Sequence, residues 1–153
     1  MATQTKTFSV FIKAPQEEVF AYVSDLTRHP EWSGGLLRVE ARTAGQVGVG
    51  SKYVSHGELL NEKERKNELQ VTQFHPPNVF AFMAKDPGVG EVQHTFTFES
   101  RGGETRMERK VSTSLPAVKA FLFRLMIDPL VGNPMMRKSM ARLKEKLEGK
   151  TSE

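Results

Sequence analysis

Strand-like alternation of apolar and polar residues runs through most of this chain, and helical periodicity takes over at its end. From 7 to 13, Phe8, Val10 and Ile12 recur at every second position, which predicts a strand. Ala14-Pro15 stops it and opens a helix with Pro at its first position. Glu17 and Glu18 favour the dipole in the first turn, and Val19, Val23 and Leu26 form the buried stripe with Phe20 beside it. Asp25 to Pro30 is a break, and Pro30-Glu31-Trp32 predicts one further helical turn closed by Gly34-Gly35. Residues 36–43 alternate again.

Two hairpins follow. Residues 51–60 and 63–74 read as strands joined at Asn61-Glu62, and a two-residue turn there sets the register. It pairs Glu58 with Arg65, His56 with Asn67 and Val54 with Leu69, all on one face. Tyr53, Ser55 and Gly57 then face solvent. Pro76-Pro77-Asn78 turns the chain into the short strand VFAFMA, and Asp86-Pro87-Gly88 turns it again. Residues 91–100 and 104–113 form the second hairpin around Gly102-Gly103. Its inner face pairs Phe98 with Met107, Phe96 with Arg109, His94 with Val111 and Val92 with Thr113.

From Asn133 to Gly149 the period changes. Met136, Met140, Leu143 and Leu147 make one helical stripe, with Asn133 and Pro134 suited to its start and Gly149 to its end. An antiparallel seven-stranded sheet cannot leave its apolar face bare. The expected fold is therefore α+β, with the sheet curled around the long C-terminal helix and two short helices between strands 1 and 2. Residues 117–131 are apolar almost all round, and a helix is expected from Pro116 to about Ile127. A lid over the sheet, a homodimer surface and a peripheral membrane contact are all open for it.

Composition narrows the function classes. Hydrophobic residues at 38% and charged residues at 26% indicate a globular chain, and 153 residues suit a single domain, 1–153. With no Cys, disulfides, thiolate zinc sites and cysteine nucleophiles are excluded. The N-terminus has no apolar leader, and no apolar run approaches the ~18 residues of a membrane span, so a cytoplasmic location is expected. The net charge of +4 owes much to the basic residues between Arg137 and Lys150. No aromatic–basic interleaving accompanies them, so they read as the solvated face of the last helix and nucleic acid is not the expected partner.

The order of elements and several local runs resemble the START-like, or Bet v 1-like (SRPBCC), superfamily with its helix-grip fold. The nearest branch is that of the small bacterial polyketide cyclase/dehydrase and lipid-transport proteins. The resemblance rests on Phe8-Ser-Val-Phe-Ile-Lys-Ala-Pro15, on Glu18-Val-Phe20, on Asp25 through His29-Pro30-Glu31-Trp32, on the Phe74-His-Pro-Pro77 corner and on the basic terminal helix. It covers almost the whole chain. It implies binding of a hydrophobic molecule between sheet and terminal helix, which some members also cyclise or hydrolyse without an invariant catalytic motif.

The candidate chemistry lies on the inner face. His29, His56, His75 and His94 lack metal-ligand spacing, no G-x-S-x-G elbow is present, and neither metal nor cofactor is expected. The polar inner set is His56, Glu58, Arg65, Asn67, His94 and Arg109. Glu58 can pair with Arg65, but Arg109 has no evident partner, which favours a wet or ligand-filled cavity over a dry core. Val54, Leu69, Phe80, Phe82, Phe96, Phe98, Met107, Met136 and Met140 would line it or simply pack the core. Trp32 would sit at its mouth or anchor the short helix. Three functions follow. One is a carrier of a hydrophobic ligand with a polar or anionic head near Arg109. Another is a cofactor-independent cyclase, dehydratase or hydrolase using His56, Glu58, His94 and Arg109. The third is a protein- or RNA-interaction module with a vestigial cavity.

Overall fold

The computed structural model describes residues 2–59, 62–86, 90–115 and 133–151. The segment 116–132 lies outside them, and with it the expected helix from Pro116 and the open question over 117–131. Seven strands are present: β1 (Ala2–Ile12), β2 (Leu36–Ala41), β3 (Lys52–Leu59), β4 (Glu62–His75), β5 (Val79–Asp86), β6 (Gly90–Arg101) and β7 (Glu104–Leu115). They form one antiparallel sheet in the order β1-β7-β6-β5-β4-β3-β2. β2 to β7 are a meander, whereas β1 pairs with the last strand. The chain must therefore cross from one sheet edge to the other between β1 and β2. Helix α1 (Gln16–Val23) and a 3-10 helix (Leu26–Glu31) make that crossing.

Helix α2 (Asn133–Thr151) supplies the layer over the inner face. Its stripe is buried at Met140, Leu143 and Leu147, while Arg137, Lys138, Arg142 and Lys146 are exposed. Gly149 does not end this helix, which continues to Thr151. Nothing packs within reach of a Cβ at Gly149, so the glycine costs the last turn only its backbone entropy. Lys144 Nζ donates to the Phe11 carbonyl (2.7 Å) and pairs with Glu148, whose carboxylate accepts from the Lys13 N–H (3.0 Å). These bonds cap open backbone groups at the end of edge strand β1 and tie the C-terminal half of α2 to it. At the other half, Ser139 Oγ accepts from the Gly34 N–H at 2.8 Å.

The β6–β7 register matches the reading from sequence, Phe96 opposite Arg109 and His94 opposite Val111. Gly102 and Gly103 occupy positive φ (59° and 88°) in the two-residue turn that sets it. The β3–β4 register does not match. Tyr53 pairs with Leu69, Ser55 with Asn67 and Gly57 with Arg65, one residue away from the expected pairing, so every β3 side chain changes face. The cause is an irregularity between Gly57 and Leu59, with Leu59 opposite Glu62. The Glu58 N–H leaves the ladder for the carbonyl of Gly35 at 2.6 Å. Position 57 has to be glycine, because a Cβ there would stand 2.7 Å from the Gly35 oxygen.

Candidate functional site

The inner face is built from alternate residues of all seven strands. Phe20 packs edge-on against Phe74 and Phe98 under α1, and Phe80, Phe82 and Phe96 stack along β5 and β6. The aromatic half is closely packed. The half beneath the start of α2 is hollow.

A cavity of about 330 Å³ opens there, bordered by Phe8, Leu36, Val92, Val111, Met135 and Met136 and by polar groups that include Gln4, Lys6, Glu58, Arg65 and Asp86. A smaller chamber of about 130 Å³ adjoins it and is bordered by His29, Leu69, Phe82 and Arg109. Ser33, Leu36, Ser55, Asn67 and His94 border both.

Arg109 is the chemical centre of the inner chamber. The side chain is 5% exposed, held on β7 with its guanidinium 5.0 Å from the centre of Phe96 and 5.6 Å from that of Trp32. Both rings lie at cation–π distance. Its Nη2 donates to His94 Nδ1 at 3.1 Å, while Nε and Nη1 are buried without a hydrogen-bond partner. Burial pulls its pKa down to about 10, so it stays charged at neutral pH. Two further buried polar atoms lack partners, Asn67 Oδ1 and Trp32 Nε1.

The two histidines near Arg109 are held neutral. His94 is stacked on Phe82 at 4.6 Å, and burial, the Arg109 charge and then His29 push its pKa well below the usual value. Because Nδ1 accepts from an arginine, its proton sits on Nε2. His29, from the 3-10 helix, donates Nε2–H to the Val23 carbonyl at 2.7 Å. Burial first, with a smaller contribution from Arg109, lowers its pKa to about 3 despite that bond.

This has a consequence for stability. The unfolded chain takes up a proton at the His29 position near pH 6.5, which the folded chain refuses until about pH 3. Acidification through that window therefore favours unfolding. Between pH 7 and pH 5 the parent protein is expected to lose about 2 kcal/mol more stability than His29→Gln. Urea titrations at the two pH values measure it, and equal losses in both proteins would contradict the assignment.

Several residues expected at the site lie elsewhere. The change of face on β3 puts Val54 and His56 outside. Val54 is buried, but in an outer groove with Lys52, Glu68 and Met83, away from the core cluster. His56 Nε2 lies 3.7 Å from Glu40, itself in ion pairs with Arg38 and Arg42. Glu58 is exposed at the cavity rim and does not pair with Arg65. That arginine instead binds Asp86, Nε to Oδ2 at 2.6 Å. Phe80, Phe96, Phe98, Met107 and Met140 belong to the packed core and do not border either space, and Trp32 is fully buried behind Arg109 rather than at a mouth. Arg65, Asn67, Leu69, Phe82, His94, Arg109 and Met136 are brought together around the two spaces.

His29, Asp86, Gln4 and Lys6 were missed. The last two continue the inward positions of Phe8, Val10 and Ile12, a signal hidden by starting β1 at residue 7. Among the described residues no group of His, Asp and Glu could hold a metal ion, and no helix is long and apolar enough to cross a membrane.

Comparison with known proteins agrees with this architecture. The Zhui aromatase/cyclase from Streptomyces sp. R1128 superposes with a TM-score of 0.77 at 14% identity, covering 96% of this chain and 94% of that one. The KanY protein gives 0.71 at 20% identity, over 97% and 99% of the two chains. Ara h 8.0201 gives 0.68 at 12% identity, over 95% and 98%. At these identities the likeness is one of fold. A search of curated protein sequences finds no significant match. Residues 3–148 match the family described as polyketide cyclase / dehydrase and lipid transport, and the chain belongs to that family.

Proposed function

We propose that residues 1–153 act as a single START-like domain that binds a hydrophobic small molecule with a polar or anionic head, in the space between the sheet and α2. The observation that carries this reading is Arg109. A buried guanidinium keeps its charge, faces no carboxylate among the described residues, and has two nitrogens without partners beside a chamber. A ligand oxygen would supply what the fold leaves out. Leu36, Val92, Val111 and Met136 offer the body of such a ligand an apolar wall, and methionine adapts readily to its shape. Native mass spectrometry of the purified chain is expected to show a small-molecule adduct that leaves on denaturation. A clean apo mass, unchanged after incubation with decanoate, would count against it.

The His94–Arg109 pair favours a second reading, an enzyme of the cyclase or dehydratase type. Neutral His94 carries its proton on Nε2, from which it can donate a hydrogen bond to a carbonyl oxygen while Arg109 stabilises the developing charge. Turnover lost in His94→Phe, with ligand binding retained, would move the assignment to the enzyme.

A further inference from the structure

Resting on the ligand-binding reading above, we infer that the ligand enters head first and that its head is a free acid with a hydroxyl on the α- or β-carbon. Phospholipid head groups are excluded. Three observations combine. The first is the order of surfaces along the path. The outer cavity has an apolar wall of Phe8, Leu36, Val92, Val111 and Met136 with charged groups at its border. The inner chamber, lined also by Leu69 and Phe82, adds His29 and the buried Arg109 to the Ser55, Asn67 and His94 that the two spaces share. A tail-first ligand would set a methyl end against a guanidinium that still lacks partners, leaving a buried charge uncompensated.

The second observation is size. The inner chamber, at about 130 Å³, is close to a cavity that holds one benzene, roughly six heavy atoms. A carboxylate, the two carbons next to it and one hydroxyl fill that space. A phosphocholine group does not fit.

The third is the pattern of unmet hydrogen bonds. Arg109 has unmet donors at Nε and Nη1, on different edges of the guanidinium, so a carboxylate forked on one edge leaves the other for a second ligand oxygen. Asn67 Oδ1 is an acceptor waiting for a donor. A simple carboxylate would leave Asn67 unsatisfied, and an alcohol would leave Arg109 so. A hydroxy acid satisfies both.

Calorimetric titration with four probes of equal chain length separates these cases: 3-hydroxydecanoate, decanoate, decanol and decanoyl lysophosphatidylcholine. The expected order is hydroxy acid, acid, then the other two. The hydroxyl should improve affinity about fivefold, the worth of one neutral hydrogen bond, and Asn67→Ala should erase that gain, so that the variant binds the two acids equally. Lysophosphatidylcholine binding as tightly as decanoate would overturn the inference, as would equal affinities for the two acids in the parent protein. These parent comparisons decide the matter even if Asn67→Ala fails to fold. A hydroxyl preference that survives Asn67→Ala would remove Asn67 from the assignment and overturn it as well. If none of the four probes binds, the ligand-binding reading falls together with this one. If decanoate binds but its hydroxylated form gains nothing, only this one falls.

Discussion

Leu143→Glu is expected to abolish cooperative unfolding. Leu143 is fully buried in the middle of the α2 stripe, between Met140 and Leu147, where the helix meets the inner face of the sheet. A carboxylate there has to stay charged without a partner or take up a proton, and both cost several kcal/mol on top of the lost packing. A domain of this kind has only about 5–15 kcal/mol to lose. Lys138→Glu, one turn earlier on the exposed side, is the control and should melt within about 0.5 kcal/mol of the parent. Circular dichroism melts of the three proteins test this. A Leu143→Glu protein that melts like the parent would mean that α2 is not the element the sheet encloses.

Much of this architecture could be read from the chain. The stripe of α2, the β6–β7 register and the two short helices between β1 and β2 follow from local patterns. A 3.6-residue period, a Gly-Gly turn between alternating strands, and a Pro at the start of a helix each act within a few residues. The β3 register failed for an equally physical reason. Val54, His56 and Glu58 are no more polar than Tyr53, Ser55 and Gly57, so alternation could not choose between faces. What decides is one irregularity at Glu58, bonded to Gly35 on a different strand approach. A single residue there turned Val54 and His56 away from the site.

The site was legible in part. Arg109 stood out because a guanidinium fell at an inward mid-strand position among phenylalanines. Two of its contacts did not, because they come from a distant part of the chain: His29, some eighty residues away in the 3-10 helix, is not a candidate from sequence, and Trp32 reads as a mouth residue or an anchor rather than as a contact of the guanidinium. Nor did the exchange of Arg65's partner from Glu58 to Asp86, which depends on the same shift of β3.

Arg109→Leu tests the central claim most directly. The substitution removes a buried charge with two unpartnered nitrogens and adds apolar volume beside Trp32 and Phe96. Stability should therefore be unchanged or higher. If the guanidinium holds the ligand's head, affinity for decanoate should fall by about 1.5–3 kcal/mol, roughly ten- to hundredfold, the worth of a charge-assisted hydrogen bond. A dye-displacement titration run beside a thermal melt reads both quantities on one preparation. The account predicts weakened binding in a protein that melts at or above the parent's temperature. A protein that melts lower and binds decanoate as before would show that Arg109 holds the fold together rather than a ligand.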